Sequence, residues 1–166
     1  MSKAKAPGAA EFAALVEKLS EILLARGWRM ATAESCTGGW IAKCCTDQAG
    51  SSAWFDRGFV SYSDQAKQEL LGVESGTLHG HGAVSKAVAL QMAEGARKRA
   101  GVEAAVAVTG IAGPGGGSPE KPVGTVWFAW ATGSNSQAKR LHFDGDRDAV
   151  RRQTVQQALM GMIERL

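Results

Sequence analysis

Cysteine, histidine and tyrosine are scarce in this chain of 166 residues, which has three cysteines, three histidines and one tyrosine. An odd number of cysteines, two of them adjacent at Cys44 and Cys45, does not fit a disulfide framework. The histidines do not pair with the cysteines at the spacing of a zinc site, and we expect His79 and His81 to lie in a loop. This cysteine usage fits the reducing cytoplasm and predicts no metal site.

Long apolar runs are also missing. No stretch of about 18 apolar residues exists, so the sequence predicts no membrane span. Residues 1–8 are polar, lack the apolar core of a secretion signal and are expected to form a disordered tail. The net charge of +3 is small and does not by itself indicate nucleic-acid binding. These absences favour a cytoplasmic protein with a local anion site over a membrane protein or a nucleic-acid-binding protein.

Helical and strand patterns alternate along the rest of the chain. The helical patterns cover 9–26, 36–46, 64–71, 86–100 and the segment from about residue 146 onwards. The strand patterns cover 28–33, 57–62, 102–109, 123–131 and 137–143. The nearly unbroken apolar run at 102–109 is typical of a strand that is buried on both faces. We therefore predict one domain over 9–166, a three-layer α/β/α sandwich with a mixed, mainly parallel central sheet.

Ligands of such folds bind beyond the carboxyl ends of the strands, and the stretch TAESCTGG, residues 32–39, follows one strand. Ser35 is either the N-cap of the next helix, with Thr37 as a rival cap, or a nucleophile exposed at the turn. In the second case backbone N–H groups and the helix dipole would favour an oxyanion. Gly38 and Gly39 each disfavour a first helical turn by about 1 kcal/mol relative to alanine, which indicates close approach of a ligand to the backbone.

A serine hydroxyl reacts near neutral pH only when a base accepts its proton. Our candidate base is Lys67, which burial would keep uncharged; otherwise it is a solvated lysine on a short helix. Tyr62 could hydrogen-bond the serine or the lysine, stack on a ring, or simply end its strand. Cys36 is a rival nucleophile, although adjacent side chains on a turn usually face different ways. The residues alone leave these alternatives open.

Two further segments could bind an anion. The loop TGIAGPGGGS, residues 109–118, lacks the phosphate-loop and dinucleotide patterns, but its glycines expose backbone N–H groups. It is either a ligand-binding nest or a flexible surface loop. The candidate contacts at its start are Thr109, Gly110 and Gly113. Arg147 and Arg151 lie four residues apart at the start of the last helix, where they could clamp a phosphate or pair with nearby aspartates.

The chain resembles the CinA C-terminal domain family from about residue 10 to residue 166. Five segments carry the resemblance: TAESCTGG, GSSAWFDRGFVSYSDQAKQELLGV, GAVS, VTGIAGPGGGSPEKPVGTVWFA and GDRDAVRRQ. The family includes stand-alone amidases of nicotinamide mononucleotide, so the resemblance implies deamidation of that nucleotide to nicotinate mononucleotide and ammonia, a recycling reaction. The alternative is a non-catalytic, nucleotide-binding regulatory module linked to competence or DNA damage.

The family's serine falls on Ser35, its lysine on Lys67 and its tyrosine on Tyr62. The implied mechanism is a serine acyl-enzyme with Lys67 as the base, and it needs no cofactor and no metal. N–H groups at 37–39 would hold the oxyanion, and the glycine loop with the two arginines would bind ribose and phosphate. The small size and the aromatic residues lead us to expect a homo-oligomer.

Overall fold

The computed structural model describes residues 4–133 and 135–166. Within these ranges the helices are α1 (Ala9–Arg26), α2 (Trp40–Thr46), α3 (Asp64–Leu71), α4 (Ser75–His81), α5 (Lys86–Ala100) and α6 (Arg147–Arg165). The strands are β1 (Met30–Glu34), β2 (Phe55–Val60), β3 (Ala104–Gly110), β4 (Thr125–Thr132) and β5 (Asn135–His142). Residues 1–3, part of the predicted tail, and Ser134, between the last two strands, lie outside the described residues.

The strands form one mixed sheet in the order β2-β1-β3-β4-β5. β1 pairs in parallel with β2 and β3, whereas β4 runs antiparallel to both β3 and β5. Four of the five described strands therefore point the same way, and β2, β1 and β3 make a parallel half of the sheet. The carboxyl ends of these three strands meet at one edge, where a ligand site is expected.

Helices cover both faces of the sheet, and the two faces have different side chains. α1, α2 and α6 pack on the face that carries large residues such as Met30, Phe128 and Trp130. α5, with α3 and α4 beside it, packs on the other face. The strand residues on that face are mostly alanine: Ala31, Ala33, Ala105, Ala107, Ala129 and Ala131. The predicted three-layer α/β/α sandwich with a mixed sheet is confirmed.

Helices with a clear apolar stripe and local capping residues agree with the sequence predictions. α1 covers 9–26 and ends at Gly27, whose left-handed φ of 65° suits a residue without a Cβ. α3 and α5 begin after Ser63 and Ser85, and each serine side chain accepts a backbone N–H of the first turn. The boundary between a tail over 1–8 and a single domain over 9–166 stays a prediction. None of the described helices is both long and apolar enough to cross a membrane.

Two local predictions were wrong. α2 begins at Trp40 rather than at residue 36, because the intervening residues form a separate turn after β1. His79 and His81 lie on the short helix α4 and not in a loop. Burial of Leu78 against α5 and the sheet stabilises α4 although its two glycines are poor helix formers.

Candidate active site

Ser35 is the first residue after β1, at the edge where the parallel strands end. The register aligns Glu34 with Val60 of β2 and Val108 of β3. The backbone N–H of Ser35 donates to the Val108 carbonyl at 3.1 Å, which continues the β1–β3 pairing by one residue. Ser35 is 8% exposed and lines a cavity of about 210 Å³. The strand ends therefore hold this hydroxyl at the wall of a small pocket.

The amine of Lys67 lies beside that hydroxyl. Its Nζ is 3.1 Å from Ser35 Oγ, 3.0 Å from the carbonyl oxygen of Ser61 and 3.1 Å from the carbonyl oxygen of Tyr62. The side chain is 1% exposed although it belongs to the first half of a short helix, so the alternative of a solvated lysine is wrong. Burial lowers the pKa of the Lys67 amine, and the charge of nearby Asp64 opposes this shift.

The surroundings of Nζ fit a neutral amine. A neutral amine has two N–H donors and one lone pair. The carbonyls of Ser61 and Tyr62 can accept the two N–H groups, and the lone pair then faces the hydroxyl of Ser35. Among the described residues, no carboxylate lies within ion-pair distance of Nζ to stabilise the ammonium form. In its neutral form Lys67 is placed to accept a proton from Ser35, whereas an ammonium would donate to all three oxygens.

Glu34 organises the turn that follows Ser35, and the sequence analysis missed it. Its buried carboxylate accepts the Thr37 hydroxyl at 2.6 Å and the backbone N–H groups of Ile41 at 2.8 Å and Ala42 at 2.9 Å. Burial raises the pKa of the Glu34 carboxyl, and these donors oppose that shift. An acidic residue shortly before a helix start is the signal that could have identified it.

Glu34 also corrects two expectations about α2. Neither Ser35 nor Thr37 is its N-cap, because Gly39 occupies that position with a φ of 99° and the carboxylate accepts the first-turn N–H groups. The positive end of this helix is therefore occupied by a carboxyl group of the protein itself. The helix dipole is not available to a bound anion, contrary to our expectation.

Backbone N–H groups of the turn remain as candidates to hold an oxyanion. The N–H of Gly38 donates to the carbonyl of Ser35 at 3.1 Å and is not free. The N–H groups of Cys36, Thr37 and Gly39 have no acceptor within the part of the chain that the structure describes. Cys36 directly follows Ser35, so its N–H is the nearest of these groups along the chain.

Only the start of the glycine loop reaches the cavity. Thr109 and Gly110 line it, and the Thr109 hydroxyl donates to the Ala83 carbonyl at 2.9 Å. Gly113 does not line it, but its carbonyl accepts Arg147 Nη1 at 2.7 Å. The end of the loop closes on itself through the Ser118 N–H and the Lys121 carbonyl, 2.9 Å apart. We therefore expect ligand contacts at 109–112 rather than along the whole loop.

Arg147 and Tyr62 form the rim of the cavity. Arg147 Nη2 donates to the Tyr62 hydroxyl at 3.2 Å, and both side chains are exposed. The hydroxyl of Tyr62 bonds neither Ser35 nor Lys67 in the described contacts; only its carbonyl contacts the lysine. Tyr62 thus contacts Lys67 through its backbone carbonyl and Arg147 through its side-chain hydroxyl.

The structure separates the two candidate arginines. Arg147 lines the cavity with Ser35, whereas Arg151 lines a second cavity of about 510 Å³ on the other side of the turn, beside Trp40. Within the described residues neither arginine forms an ion pair with an aspartate, so the surface-pairing alternative is wrong. Their neighbour Arg152 forms such a pair, with Asp148 at 2.6 Å.

Cys36 also lines the cavity of about 210 Å³ that contains Ser35. The expectation that the two adjacent side chains face different ways is therefore only partly met. Cys36 is buried, and burial, with the charge of Glu34, raises the pKa of its thiol to about 12. A thiol with this pKa is protonated near neutral pH and is a poor nucleophile. Ser35 next to Lys67 is therefore the better candidate.

The chain is similar to proteins of one known family. Residues 12–166 match the family described as the CinA C-terminal domain. The chain belongs to the CinA C-terminal domain family. Among its relatives in this family, the nicotinamide-nucleotide amidohydrolase PncC of Escherichia coli K12 is 57% identical over 150 residues, 90% of this chain and 91% of that protein. The protein of the same name from Pseudomonas putida is 51% identical over 150 residues, 90% of this chain and 94% of that protein.

Solved structures of similar proteins have the same fold. A CinA superfamily protein from Escherichia coli superposes with a TM-score of 0.92 at 37% identity, covering 99% of this chain and 96% of that chain. The competence/damage inducible protein CihA of Agrobacterium tumefaciens gives a TM-score of 0.91 at 46% identity, covering 99% of this chain and 98% of that chain. The family predicted from the five sequence segments is confirmed.

In this CinA domain the cavity is also lined by four residues that the sequence analysis did not select, one of which is Ala112 of the glycine loop. Ala83 and Val84 precede α5, and Asp64 is the first residue of α3. Ala83 and Val84 belong to the GAVS segment of the family resemblance, which was a usable signal. Asp64 belongs to the GSSAWFDRGFVSYSDQAKQELLGV segment of the same resemblance and lies in the first turn of a predicted helix.

Proposed function

We propose that this CinA family protein is an amidase that hydrolyses the carboxamide of nicotinamide mononucleotide to nicotinate mononucleotide and ammonia. The observation that carries the proposal is the 3.1 Å contact between Ser35 Oγ and the buried Nζ of Lys67. The relatives named nicotinamide-nucleotide amidohydrolase, which this chain covers almost completely, support the choice of substrate.

The proposed reaction begins with neutral Lys67. Its lone pair accepts the Ser35 proton, and Ser35 Oγ attacks the carboxamide carbon of the substrate. We assign the resulting oxyanion to the free N–H groups of Cys36, which lines the cavity, and of Thr37, which lines the neighbouring cavity beside Arg151. Lys67 then gives its proton to the amide nitrogen, the C–N bond breaks and ammonia leaves. An ester between the nicotinoyl group and Ser35 remains, and Lys67 is neutral again.

A water molecule completes the cycle. Neutral Lys67 accepts a proton from the water, whose oxygen attacks the ester carbon. The C–O bond to Ser35 breaks, Lys67 returns the proton to Ser35 Oγ, and nicotinate mononucleotide is released. Each proton taken by the lysine is returned within the same half-reaction, so no external acid or base is needed.

The phosphate of the substrate is assigned to Arg147 at the rim. The positive end of α2 already holds Glu34, and the guanidinium of Arg151 contacts backbone carbonyls. Arg147 is exposed at the cavity mouth, and a guanidinium binds phosphate through two parallel hydrogen bonds. Thr109 and Gly110 lie deeper and are assigned to the ribose or the ring.

Ammonia release from three amides tests the proposed function. We expect turnover of nicotinamide mononucleotide, with a kcat/KM at least about tenfold above that of nicotinamide riboside, because a charge-assisted contact to phosphate contributes this much. Free nicotinamide should be a poorer substrate than either. Nucleotide binding without ammonia release would reject the amidase and favour the regulatory module. Preferential turnover of another amide would support the amidase reaction but reject nicotinamide mononucleotide as its substrate.

Replacing Arg147 with methionine is expected to raise KM for the mononucleotide about 10- to 100-fold, because one charged contact to phosphate is lost. Turnover of the riboside should change little, since it has no phosphate. Steady-state kinetics on both substrates checks this. Arg140→Met is the matched control, because Arg140 also donates to a loop carbonyl, that of Glu120, but does not line the cavity. Equal losses on both substrates would instead assign Arg147 to loop positioning.

Three finer predictions accompany the proposed activity. We expect a homo-oligomer, a cytoplasmic location and a role in recycling pyridine nucleotides. They stay predictions, and each is independent of the serine–lysine chemistry.

A further inference from the structure

Arg151 reaches from α6 to the turn after Ser35 and holds two consecutive carbonyl groups. Its Nε donates to the carbonyl of Cys36 at 3.0 Å, and its Nη2 donates to the carbonyl of Thr37 at 3.0 Å. We call these two bonds the carbonyl clamp. The clamp joins segments more than one hundred residues apart in sequence, and Arg151 does not line the cavity that contains Ser35.

The carbonyl clamp, together with the Trp40 N–H that also donates to the Thr37 carbonyl at 3.2 Å, restricts where the N–H groups of the turn point. Both peptide units are trans, so the C=O and N–H of each unit point in opposite directions. The Cys36 carbonyl faces Arg151, and the N–H of Thr37 therefore points away from it. The Thr37 carbonyl also faces Arg151, and the N–H of Gly38 points back into the turn, where it donates to the Ser35 carbonyl at 3.1 Å. The guanidinium of Arg151 thus orients two peptide units that follow the proposed nucleophile, Ser35, in the chain.

The guanidinium is itself held in place. It lies over the ring of Trp40, with its central carbon 5.3 Å from the ring centroid, which restricts its rotation. Its planar fork fits two neighbouring carbonyls, whereas the ammonium of a lysine is a single point charge without this geometry. Arg152 lies over the same ring at 5.2 Å but pairs with Asp148 and makes no described bond to the turn.

We propose that Arg151 is a positioning residue of the amidase reaction and not a phosphate ligand. Through the carbonyl clamp it aligns the N–H of Thr37 for the oxyanion that forms when Ser35 attacks. The kinetic part of this proposal rests on the amidase function, whereas the orientation of the turn does not. Loss of the clamp should therefore slow the chemical step and leave substrate binding nearly intact.

The test compares Arg151→Met and Arg151→Lys with the control Arg152→Met, which loses the contact to Trp40 but not the clamp. We expect both Arg151 variants to lose about 10- to 100-fold in kcat, somewhat less than removal of a whole oxyanion donor. KM for nicotinamide mononucleotide should change less than about threefold, and the preference over the riboside should persist. Arg152→Met should stay within about twofold of the wild type. Circular dichroism and Tm verify folding.

Amide hydrogen exchange of Gly38, followed by NMR, provides a readout that does not need activity. We expect exchange at least about tenfold faster in Arg151→Met than in the wild type or Arg152→Met, because the turn opens more often without the clamp. If the wild type releases no ammonia but exchange responds in this way, the amidase function fails and the turn-orienting role stands.

Three results would overturn the proposal. Unchanged Gly38 exchange in Arg151→Met would show that the carbonyl clamp does not hold the turn. A rise in KM at constant kcat, with loss of the preference for the mononucleotide, would make Arg151 a phosphate ligand. Wild-type kcat in Arg151→Lys would show that charge alone suffices and that the planar fork is unnecessary.

Discussion

Ser35→Ala is expected to lower kcat for nicotinamide mononucleotide by at least about 10⁴-fold, because the proposed acyl-enzyme cannot form without Oγ. Folding should be retained, since the Ser35 side chain makes one described hydrogen bond, to Lys67, while its backbone N–H still bonds Val108. Ammonia release under saturating substrate measures the loss. Tm and circular dichroism measure the folded state.

Cys36→Ala is the matched control for this experiment. Cys36 is adjacent to Ser35 and lines the same cavity, but the raised pKa of its thiol leaves almost no thiolate near neutral pH. We expect Cys36→Ala to keep kcat within about tenfold of the wild type, because only packing around the turn changes. The opposite pattern, an active Ser35→Ala and an inactive Cys36→Ala, would make the thiol the nucleophile.

Lys67→Met is expected to lower kcat about 10²- to 10⁴-fold, the usual contribution of a positioned general base. Methionine fills a similar volume without a basic nitrogen, so the loss reports proton transfer more than packing. Lys67→Arg should be equally inactive, because a guanidinium stays protonated and cannot accept the Ser35 proton. Steady-state kinetics on both variants checks this. Activity near the wild-type level in Lys67→Met would reject Lys67 as the base.

The pH dependence of wild-type kcat/KM examines the same lysine without mutation. The protonated amine cannot act as a base, so activity should rise as pH increases through the pKa of Lys67. Burial lowers that pKa, so the rise should lie below 10.5, the ordinary value for lysine. This rise of kcat/KM with pH should be absent from the residual activity of Lys67→Met. If the rise persists in the variant, it reports the titration of another group.

Most of the fold follows from local sequence. α1, α3 and α5 combine a helical pattern with a capping residue at one or both ends, so their bounds agree with the prediction. The start of α2 could not be located in this way. Its first-turn N–H groups bond Glu34, which lies six residues before the helix, too far away to mark the helix start as a local cap would. α4 was not predicted, because the burial of Leu78 that stabilises it depends on tertiary packing and not on a local sequence pattern.

The candidate site was predictable in part, for a similar reason. Ser35 and Lys67 both follow strands of the parallel half of the sheet, so their proximity agrees with topology as well as with the family pattern. The spacing of Arg147 and Arg151 predicts that both lie on one side of a helix. It does not predict which part of the protein each side chain contacts. In the structure Arg147 contacts Gly113 and Tyr62 at the rim of the cavity, whereas Arg151 contacts the backbone carbonyls of the turn.

The buried, protonated thiol of Cys36 has a consequence for where such chemistry can operate. Hydrolases that attack through a thiolate are inactivated when peroxide converts sulfur to its higher acids, and they depend on reductants for protection. A hydroxyl cannot be oxidised in this way, and the neighbouring sulfur is buried and its raised pKa keeps it protonated near neutral pH. We therefore expect amide hydrolysis by Ser35 to continue under oxidising conditions that inactivate thiol-dependent enzymes.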